Sequence, residues 1–575
     1  MAVLGIGDSY DAGAALVEGC AALSAVSEER FTKNKNDVGF PLNCIRHICD
    51  SYDGEVQAVA LAWVGGNAMV SRIAPWWGRQ RRKLWRRELP RPSRARLRVT
   101  NLAYGLVQDQ RPRPLWKALG APISAGITRR RLRAIGNGLE GKKIYVVEHH
   151  LAHAACAYYA SGYKEALVVT LDGAGDGLSG TVSVGDNGEI RRVAEFDASA
   201  SIGILYGAAT LACDMRYSED EGKLMSLAAY SDPKRISELE GLCRYDKRSK
   251  RLVSNRKARN EFLLAEYLRD HVLAKHDRES FAYAIQAHVE EQITALIGQW
   301  ADETGIRNVA VSGGVFSNVK ANMLVEHMPE VKDFFVFPHM GDGGLPYGAA
   351  MYADFMLNGK LPCARIRDMY LGPAYSNDAI SDGIKRHREL SCEEVEDPAG
   401  LAAELIAEKN RIVLWFQGRM EYGPRALGNR SVLALPSDVE NRNRLNLLIK
   451  QRPYYQPFAS TILEEDAHKL LDDYISPNRF MTGANHVRDS RFDDLVAASH
   501  IDHTTRPQML DGENLEYRRL LERVRKRTGT GAVLNTSLNK HGRPMVLSPE
   551  DALWTLENTG ADTLIMGNYL VEKRK

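Results

Sequence analysis

The sequence predicts an α/β protein that is divided into two domains. At 575 residues the chain is too long for one hydrophobic core. Short apolar strands alternate with helical stretches, and α/β proteins place their chemistry at the ends of such strands. A strand, an Asp-bearing turn and a second strand follow one another at 3–27 and again at 166–185. This repeat indicates a duplicated domain with a cleft between its halves.

The composition is that of an ordinary soluble protein, with 44% hydrophobic and 26% charged residues. No apolar run reaches the roughly 18 residues that a membrane-spanning helix requires. The first residues, Met1 to Gly7, lack a basic region, so we expect a first strand there and no signal peptide. The eight cysteines are scattered and form no Cys-x-x-Cys pair, which favours a reducing cytoplasm over a disulfide framework or a zinc ribbon.

One segment carries the excess positive charge. Residues 71–136 contain 18 arginines and lysines against two acidic residues, whereas the whole chain has a net charge of +3. Tryptophans at 76, 77, 85 and 116 are interleaved with these cations, and prolines divide the segment into short pieces. The pattern is typical of contact with a membrane surface, RNA or a phosphorylated acceptor. The alternative is a solvated helical insertion whose arginines balance an acidic neighbour.

A histidine pair follows the predicted strand 143–147. His149 and His153 are four residues apart, so a helix places both imidazoles on one face, where they form two ligands of a metal site. The alternative is that one histidine caps the helix and the others lie at the surface. Asp172 and Asp342 end later strands in Gly-rich turns, and together the four residues form a mixed nitrogen and oxygen ligand set that suits iron, zinc or manganese.

Two further features of the first domain suit a bound cofactor. Gly313 and Gly314 form a turn between a strand and a helix, with Asn318 at the helix start, and such a turn can cradle phosphate with bare backbone N–H groups. Lys223 lies near the start of another predicted helix.

A second domain is predicted after a linker at 361–376. Its main motif, 418–431, follows the strand 411–416 and is a Gly- and Pro-rich loop with three arginines. Cations in such a loop suit a polyphosphate clamp, and the motif predicts a nucleoside triphosphate site. The domain's candidate residues are Arg419, Arg425, Arg430, Lys450, Arg452, Arg506, Asn535 and Ser537.

Taken together, the motifs resemble the NodU/CmcH-type O-carbamoyltransferase family over nearly the whole chain. The block 418–431 is the most specific match, and the others are specific mainly by their order. The matching stretches are 11–12, 28–31, 149–153, 171–173, 221–225, 312–314, 341–343, 418–431, 457–459, 505–508 and 535–537.

The resemblance implies two linked sites. Residues 1–360 would form a duplicated actin-like (ASKHA) metal-binding domain with a basic insertion at about 66–136, and residues 377–575 a YrdC-like domain. The second would make carbamoyl-AMP from carbamoyl phosphate and ATP, with Mg²⁺ accompanying ATP. The first would transfer the carbamoyl group to a hydroxyl of a small-molecule or sugar acceptor. The alternatives are a tRNA threonylcarbamoyladenosine-type modification enzyme and a non-catalytic nucleotide-binding scaffold.

The resemblance also implies roles for individual residues. His149, His153, Asp172 and Asp342 match the family's metal ligands, for which iron is the favoured metal. Arg425, Lys450, Arg506 and Ser537 match its adenylation-site residues, and the expected cofactor contacts are Lys223, Gly313, Gly314, Asn318, Arg419, Arg430, Arg452 and Asn535. The sequence departs from the family where its His-Asp-Ala-Ser becomes Tyr10-Asp11-Ala12-Gly13. Tyr10, with an ordinary pKa near 10, is a poor base, so Asp11 becomes a candidate.

The expected partners are carbamoyl phosphate and a sugar or natural-product acceptor, as in secondary metabolite biosynthesis. No nucleic acid is expected. Three further possibilities are a lipid-linked acceptor, contact of residues 71–136 with the inner face of the membrane, and a homodimer.

Overall fold

The computed structural model describes residues 1–65, 72–93, 113–255, 260–361 and 364–574, without the side chains of 113–118. The chain divides into two compact units. Unit 1 comprises Met1–Glu28 and Asn36–Ile366, and unit 2 comprises Glu29–Lys35, which contains helix α1 (Glu29–Thr32), and Arg367–Lys575. Parts of the predicted basic insertion (66–71 and 94–112, with the side chain of Trp116) and of the predicted linker (362–363) lie outside the described residues. The mixed α/β class is confirmed.

Unit 1 contains two five-stranded sheets with the same strand order. The first runs β3-β2-β1-β4-β5 and the second β12-β11-β6-β7-β8. In both, three consecutive strands are antiparallel and the remaining two are parallel to the first of them. The strands are β1 (Ala2–Gly7), β2 (Gly13–Glu18), β3 (Ala21–Ser27), β4 (Val56–Ala62), β5 (Lys143–Val147), β6 (Glu165–Gly175), β7 (Leu178–Asp186), β8 (Glu189–Asp197), β11 (Asn308–Ser312) and β12 (Asp333–Val336), with a separate hairpin of β9 (Arg244–Asp246) and β10 (Arg251–Val253).

The helices of unit 1 follow its strands. They are α2 (Leu42–Asp50), α3 (Pro75–Trp85), α4 (Arg113–Arg133), α5 (His149–Ser161), α6 (Ile202–Ala212), α7 (Glu221–Leu227), α8 (Glu261–His271), α9 (Arg278–Thr304), α10 (Val319–Glu326) and α11 (Leu345–Asn358). Helices α5 and α11 pack against each other, and α11 also packs on β1. Gly348 permits the first contact, since a Cβ there would lie 2.0 Å from the carbonyl oxygen of Ala152. This packing brings the start of α5 close to the turn that precedes α11.

Unit 2 is built on an eight-stranded sheet of order β13-β22-β21-β14-β15-β20-β16-β19. Two clusters of buried apolar side chains pack against it, one centred on Leu414 and Leu564 and the other on Trp415 and Tyr517. The strands are β13 (Leu390–Glu394), β14 (Val413–Phe416), β15 (Arg430–Ala434), β16 (Ala459–Leu463), β19 (Pro507–Leu510), β20 (Ala532–Ser537), β21 (Thr563–Met566) and β22 (Tyr569–Lys573), with a short pair of β17 (Asn485–His486) and β18 (Thr504–Thr505).

The helices of unit 2 are α12 (Asn377–Ile384), α13 (Pro398–Ala407), α14 (Val439–Arg444), α15 (Ala467–Leu470), α16 (Phe492–Leu495), α17 (Leu515–Thr528) and α18 (Pro549–Glu557). A π-helical turn, Leu445–Lys450, continues α14. Such turns are rare and occur often at functional sites. None of the helices among the described residues is long and apolar enough to span a membrane.

Three charged residues directly follow β3. Glu28, Glu29 and Arg30 are all buried. Glu28 accepts hydrogen bonds from the backbone N–H groups of Asn43 (3.1 Å) and Cys44 (2.9 Å), so it ties β3 to the start of α2. In unit 2, Arg30 donates to the carbonyl of Gly423 at 2.9 Å.

Candidate metal centre and anion-binding site

Four side chains of unit 1 converge on one point. His149, His153, Asp172 and Asp342 each offer one ligand atom, and these atoms lie within 4.8 Å of one another. Nε2 of His149 is 3.2 Å from Oδ2 of Asp172 and 3.9 Å from Oδ1 of Asp342. Nε2 of His153 is 3.6 Å from Oδ1 of Asp342 and 3.9 Å from Oδ2 of Asp172. Ligands bound about 2.0–2.2 Å from one ion have such separations.

Unpaired atoms indicate that these residues fit a metal ion. Nε2 of His153 and Oδ1 of Asp342 are buried and have no hydrogen-bond partner among the described residues. Buried polar atoms are rarely left unpaired because their desolvation is costly. Two imidazole nitrogens and two carboxylate oxygens suit iron, zinc or manganese better than the all-oxygen sites of magnesium or calcium.

The carboxylates and imidazoles shift each other's protonation. Burial raises the pKa of Asp342 well above its usual range, and the neighbouring Asp172 adds to the rise. Burial alone would lower the pKa of His149, but its hydrogen bond to Asp172 and the charge of Asp342 raise it to about 8. A bound cation would stabilise both carboxylates in the ionised form.

The third histidine of the motif has a different role. Both ring nitrogens of His150 have hydrogen-bond partners outside the cluster, with Nδ1 2.9 Å from Oγ1 of Thr170 and Nε2 3.2 Å from the carbonyl of Leu178. Burial, followed by the charge of His149, lowers the pKa of His150 to about 3, so it stays neutral. The alternative of capping and surface histidines is wrong, because Glu148 caps the helix and all three histidines are buried.

Two glycines leave space for the side chains of the proposed ligands. A Cβ on Gly175 would lie 2.1 Å from the His149 ring, and one on Gly314 would lie 2.8 Å from Oδ1 of Asp172. The backbone N–H of Gly314 donates to that same oxygen at 3.0 Å. The turn containing Gly313 (φ 112°) therefore holds a metal-site carboxylate, and its use as a phosphate cradle stays a prediction.

Two other predicted cofactor residues have partners within the fold. Asn318 caps α10 by accepting from the N–H of Ala321 at 3.1 Å, and its side chain exchanges hydrogen bonds with Gln286. Lys223 pairs with Asp220 at 2.7 Å. Their cofactor contacts stay predictions.

Tyr10 and Asp11 lie beside the metal cluster. The Tyr10 ring packs on Trp85 with centroids 5.0 Å apart, and burial raises the pKa of its phenol, so Tyr10 remains protonated. A Cβ on Gly343 would lie 2.4 Å from both Oδ2 of Asp11 and Nε2 of His339, so these two side chains converge there. Sequence reasoning missed His339; the only signal was its position three residues before Asp342.

Several arginines of the basic segment pair with acidic residues of unit 1. Arg81 forms hydrogen bonds to both oxygens of Glu261 at 3.1 Å, and Nε1 of Trp85 donates to the same carboxylate at 2.6 Å. Further ion pairs join Arg72 to Asp8, Arg86 to Glu219 and Arg87 to Asp214. Where the structure describes the segment, it therefore favours the insertion whose arginines balance an acidic neighbour.

A cationic cluster forms the second site, in unit 2. Lys450 ends the π-helical turn and donates to the carbonyl (2.5 Å) and hydroxyl (3.2 Å) of Ser537 and to Oδ1 of Asn539 (2.7 Å). Burial lowers the pKa of Lys450 well below its usual value, and the charges of Arg452 and Lys35 lower it further. Among the ion pairs of the described residues, none involves Lys450 or Arg452. Clustered buried cations of this kind suit a polyanion.

Arg452 and Arg506 belong to this cluster, and Arg425 lies in the loop 418–431 of the same unit. Arg452 stacks on Phe458, with its guanidinium carbon 4.0 Å from the ring centroid. Burial lowers the pKa of Arg452, and the charge of the neighbouring Arg506 lowers it further. Arg425 is half-buried, and its Nε has no hydrogen-bond partner among the described residues. Burial also lowers the pKa of Arg425.

The loop arginines at 419 and 430 contact backbone carbonyls. Arg419 donates to Gly372 and Leu371. Arg430 is fully buried, donates to the carbonyl of Gln417 at 2.6 Å and stacks on Phe416. Both therefore stabilise the loop, and their direct contact with a nucleotide stays a prediction.

Glu421 organises the same loop, a role that the sequence did not reveal. Its Oε1 accepts from the backbone N–H groups of Leu427 (2.8 Å), Asn429 (2.8 Å) and Arg430 (3.1 Å). Asn535 binds the far side of the loop, since its Nδ2 donates to the carbonyl of Ala426 at 3.1 Å. These bonds fix the backbone around Arg425.

Two histidines and two carboxylates thus come together in one α/β unit, and a cluster of cations lies in the other. The family model described as the N-terminus of carbamoyltransferase matches residues 116–351, and the one described as its C-terminus matches residues 403–573. The chain belongs to the NodU/CmcH-type carbamoyltransferase family, and it is a carbamoyltransferase.

Three known proteins are similar to all or part of this chain. The nodulation protein NolNO of Sinorhizobium fredii is 31% identical over 98% of this chain and 79% of its own length. The 3′-hydroxymethylcephem-O-carbamoyltransferase of Amycolatopsis lactamdurans is 33% identical over 45% of this chain and 47% of its own. The crystal structure of full-length HypF in its phosphate- and nucleotide-bound form overlaps 63% of this chain and 56% of that chain at 13% identity, with a TM-score of 0.36.

Proposed function

We propose that the chain is an ATP-dependent O-carbamoyltransferase that works in two steps at two sites. Unit 2 makes carbamoyl-AMP, and unit 1 transfers the carbamoyl group to a hydroxyl of a small-molecule or sugar acceptor. The observation that carries the proposal is a set of three cations in unit 2 that take part in none of the ion pairs among the described residues: the buried Lys450 and the half-buried Arg452 and Arg425.

The first step requires a strong cationic environment. Hydrolysis of carbamoyl phosphate releases phosphate and carbamate, and a carbamate oxygen then attacks the α-phosphorus of ATP, so that pyrophosphate leaves. Negative charge accumulates on the transferring and leaving phosphates, and fixed cations stabilise it. Arg425, Lys450 and Arg506 are the proposed contacts, with Ser537 and Asn539 positioning the ammonium group of Lys450. Mg²⁺ would accompany ATP.

The second step belongs to the four-ligand centre of unit 1. A metal ion there, for which we favour iron, supplies Lewis-acid polarisation and a template for phosphate and acceptor when bound. Asp11, beside Asp342 and His339, is the proposed group that receives the proton of the acceptor hydroxyl. Tyr10 remains protonated and serves as a hydrogen-bond donor instead.

For the fold we propose a duplicated actin-like domain in unit 1 and a YrdC-like domain in unit 2. The shared order and direction of the two five-stranded sheets support the duplication. The domain limits of 1–360 and 377–575 are part of the same proposal. The comparisons do not favour a tRNA-modification enzyme, while membrane contact and a homodimer stay predictions.

The test is ATP-dependent pyrophosphate release by the full chain, with and without carbamoyl phosphate. We expect release to require carbamoyl phosphate and to fall by about 100-fold or more in Arg425→Ala, as for loss of one charge-stabilising donor. Arg519→Ala is the control, because that arginine is exposed on the surface of α17. Equal release without carbamoyl phosphate, or full activity in Arg425→Ala, would contradict the proposal.

A further inference from the structure

Trp63 has an unusual backbone conformation beside the metal centre. It follows β4 directly, is buried, and has a φ of 77°. A bulky side chain rarely adopts this left-handed conformation, which persists only where the surroundings impose it, often at functional sites.

The surroundings of Trp63 fix its backbone on both sides. Its N–H donates to the carbonyl of Val147 at 2.8 Å, and its carbonyl accepts from Nη1 of Arg72 at 3.1 Å. The next residue, Val64, donates its N–H to Oδ2 of Asp176 at 3.0 Å and accepts from Oγ of Ser124 at 3.3 Å. No peptide group beside Trp63 can rotate without breaking one of these bonds.

Arg72 is the centre of this arrangement, and it comes from the basic segment. Its Nε lies 2.9 Å from both carboxylate oxygens of Asp8, and its Nη1 donates to Oγ of Ser124 on α4 at 2.7 Å. Nη2 donates to the carbonyl of Ala62 at 2.9 Å. Because Arg72 and Asp8 are buried, this arginine is not available to an external polyanion.

The Trp63 side chain contacts a proposed metal ligand. Its ring meets the His149 imidazole edge-on, with centroids 4.4 Å apart and planes at 76°. The two proposed histidine ligands differ here: Nδ1 of His153 is 3.1 Å from Oγ of Ser312, whereas Nδ1 of His149 has no hydrogen-bond partner among the described residues. Packing against Trp63 therefore takes the place of a hydrogen bond in orienting the His149 ring.

Asp176 links His149 to Trp63 through backbone hydrogen bonds. Its Oδ2 accepts from the N–H of His149 and from the N–H of Val64, both at 3.0 Å. One carboxylate thus holds both the first turn of α5, which carries His149, and Val64, which follows Trp63. A shift of Trp63 would therefore move His149.

We propose that Trp63 is a positioning residue for the metal centre and that Arg72 of the basic segment holds it against His149. The inference rests on the proposed metal site. It gives the start of the basic segment a role inside unit 1, as a support for a ligand, instead of a role in binding an external surface.

The test uses Co²⁺ and Zn²⁺ as probes, with affinity measured by calorimetry and the Co²⁺ absorption bands by spectroscopy. Supporting residues around metal ligands are typically worth about 10- to 100-fold in affinity. We expect the affinity of Trp63→Leu for either ion to fall by at least about 10-fold, and its Co²⁺ absorption bands to change. Trp63→Phe, which keeps an aromatic edge, should remain within a few-fold of the wild type. Trp76→Leu is the matched control, because it makes the same substitution at a tryptophan that is 61% exposed.

Each outcome bears on a different statement. Failure of the wild-type chain to bind either ion would overturn the metal site itself. Wild-type affinity and spectrum in a folded Trp63→Leu chain, with melting behaviour like the Trp76→Leu control, would overturn the inference about Trp63 alone. If Trp63→Leu does not fold, Arg72→Lys and Trp63→Phe decide: Arg72→Lys should weaken Co²⁺ binding more than Trp63→Phe does, and the reverse order would refute the role of Arg72.

Discussion

Ser312 fixes the tautomer of His153. Its hydroxyl donates to the carbonyl of Met340 at 3.2 Å, so at 3.1 Å it accepts from Nδ1–H of His153 and leaves the lone pair of Nε2 directed at Asp342. Ser312→Ala should therefore weaken Zn²⁺ binding by about 10-fold or more. Calorimetry with the full chain measures this, and Ser317→Ala, at an exposed serine after the same strand, is the control. Unchanged affinity would mean that Ser312 does not orient the ligand.

Loss of a ligand should separate the two proposed half-reactions. His153→Ala or Asp342→Asn removes one of four ligand atoms, so we expect metal content, measured by elemental analysis, to fall sharply. Pyrophosphate release should continue within a few-fold of the wild-type rate, because the adenylation residues lie in unit 2. Parallel loss of both activities in a folded variant would contradict the assignment of separate sites.

The binding of pyrophosphate should depend on pH through Lys450. Burial and neighbouring cations lower its pKa, so it loses its proton at a lower pH than an exposed lysine does. Affinity should therefore fall as pH rises through that lowered pKa, since only the charged form attracts the ligand. The stability of the free protein changes with pH in the opposite direction. Between the lowered pKa of Lys450 and the ordinary lysine pKa the unfolded chain binds more protons than the folded one, so the free energy of unfolding increases with pH.

The control for this prediction is Lys450→Met. Titration calorimetry with pyrophosphate at a series of pH values should show weak binding in this variant and a shallower dependence on pH than in the wild type. An unchanged slope would assign the dependence to another group.

Glu421 should matter for activity although it carries the wrong charge for a phosphate contact. One of its oxygens accepts three backbone N–H bonds in the loop that carries Arg425. Hydrogen bonds to a charged group contribute about 1.5–3 kcal/mol each. Glu421→Ala should therefore lower pyrophosphate release by about 10-fold or more, with Glu421→Gln less affected because it retains one acceptor. A full rate in Glu421→Ala would show that the loop keeps its shape without this residue.

The sequence predicts helices, strands and the grouping of the proposed ligands where a short pattern is enough. The spacing of His149 and His153 and the aspartates in Gly-rich turns predicted a four-residue cluster, which the structure brings together. The apolar residues at 281, 285, 289 and 293 have helical spacing, and they lie buried on α9. Such predictions depend on local periodicity, which the sequence displays directly.

Contacts between distant segments could not be predicted in this way. In sequence His150 resembles His149 and His153, and only the tertiary structure shows that its Nδ1 is hydrogen-bonded to Thr170. Arg430 was grouped with the phosphate-binding cations, yet it is buried against backbone carbonyls of its own loop. The left-handed conformation of Trp63 has no sequence signal, because it is imposed by Arg72, Asp176 and Val147.

Residues 29–35, early in the chain, belong to unit 2. Phe31 packs with Met420, Ala426, Met545 and Leu547, and Lys33 pairs with Asp551. A gene cut at residue 366 would therefore not yield two self-sufficient halves. The fragment from 367 onward would expose an apolar face and lack the guanidinium that binds Gly423, so we expect it to aggregate unless a peptide spanning 29–35 is supplied with it. Separating the two activities genetically calls for point variants, or for a permuted gene that keeps this early peptide with the later half.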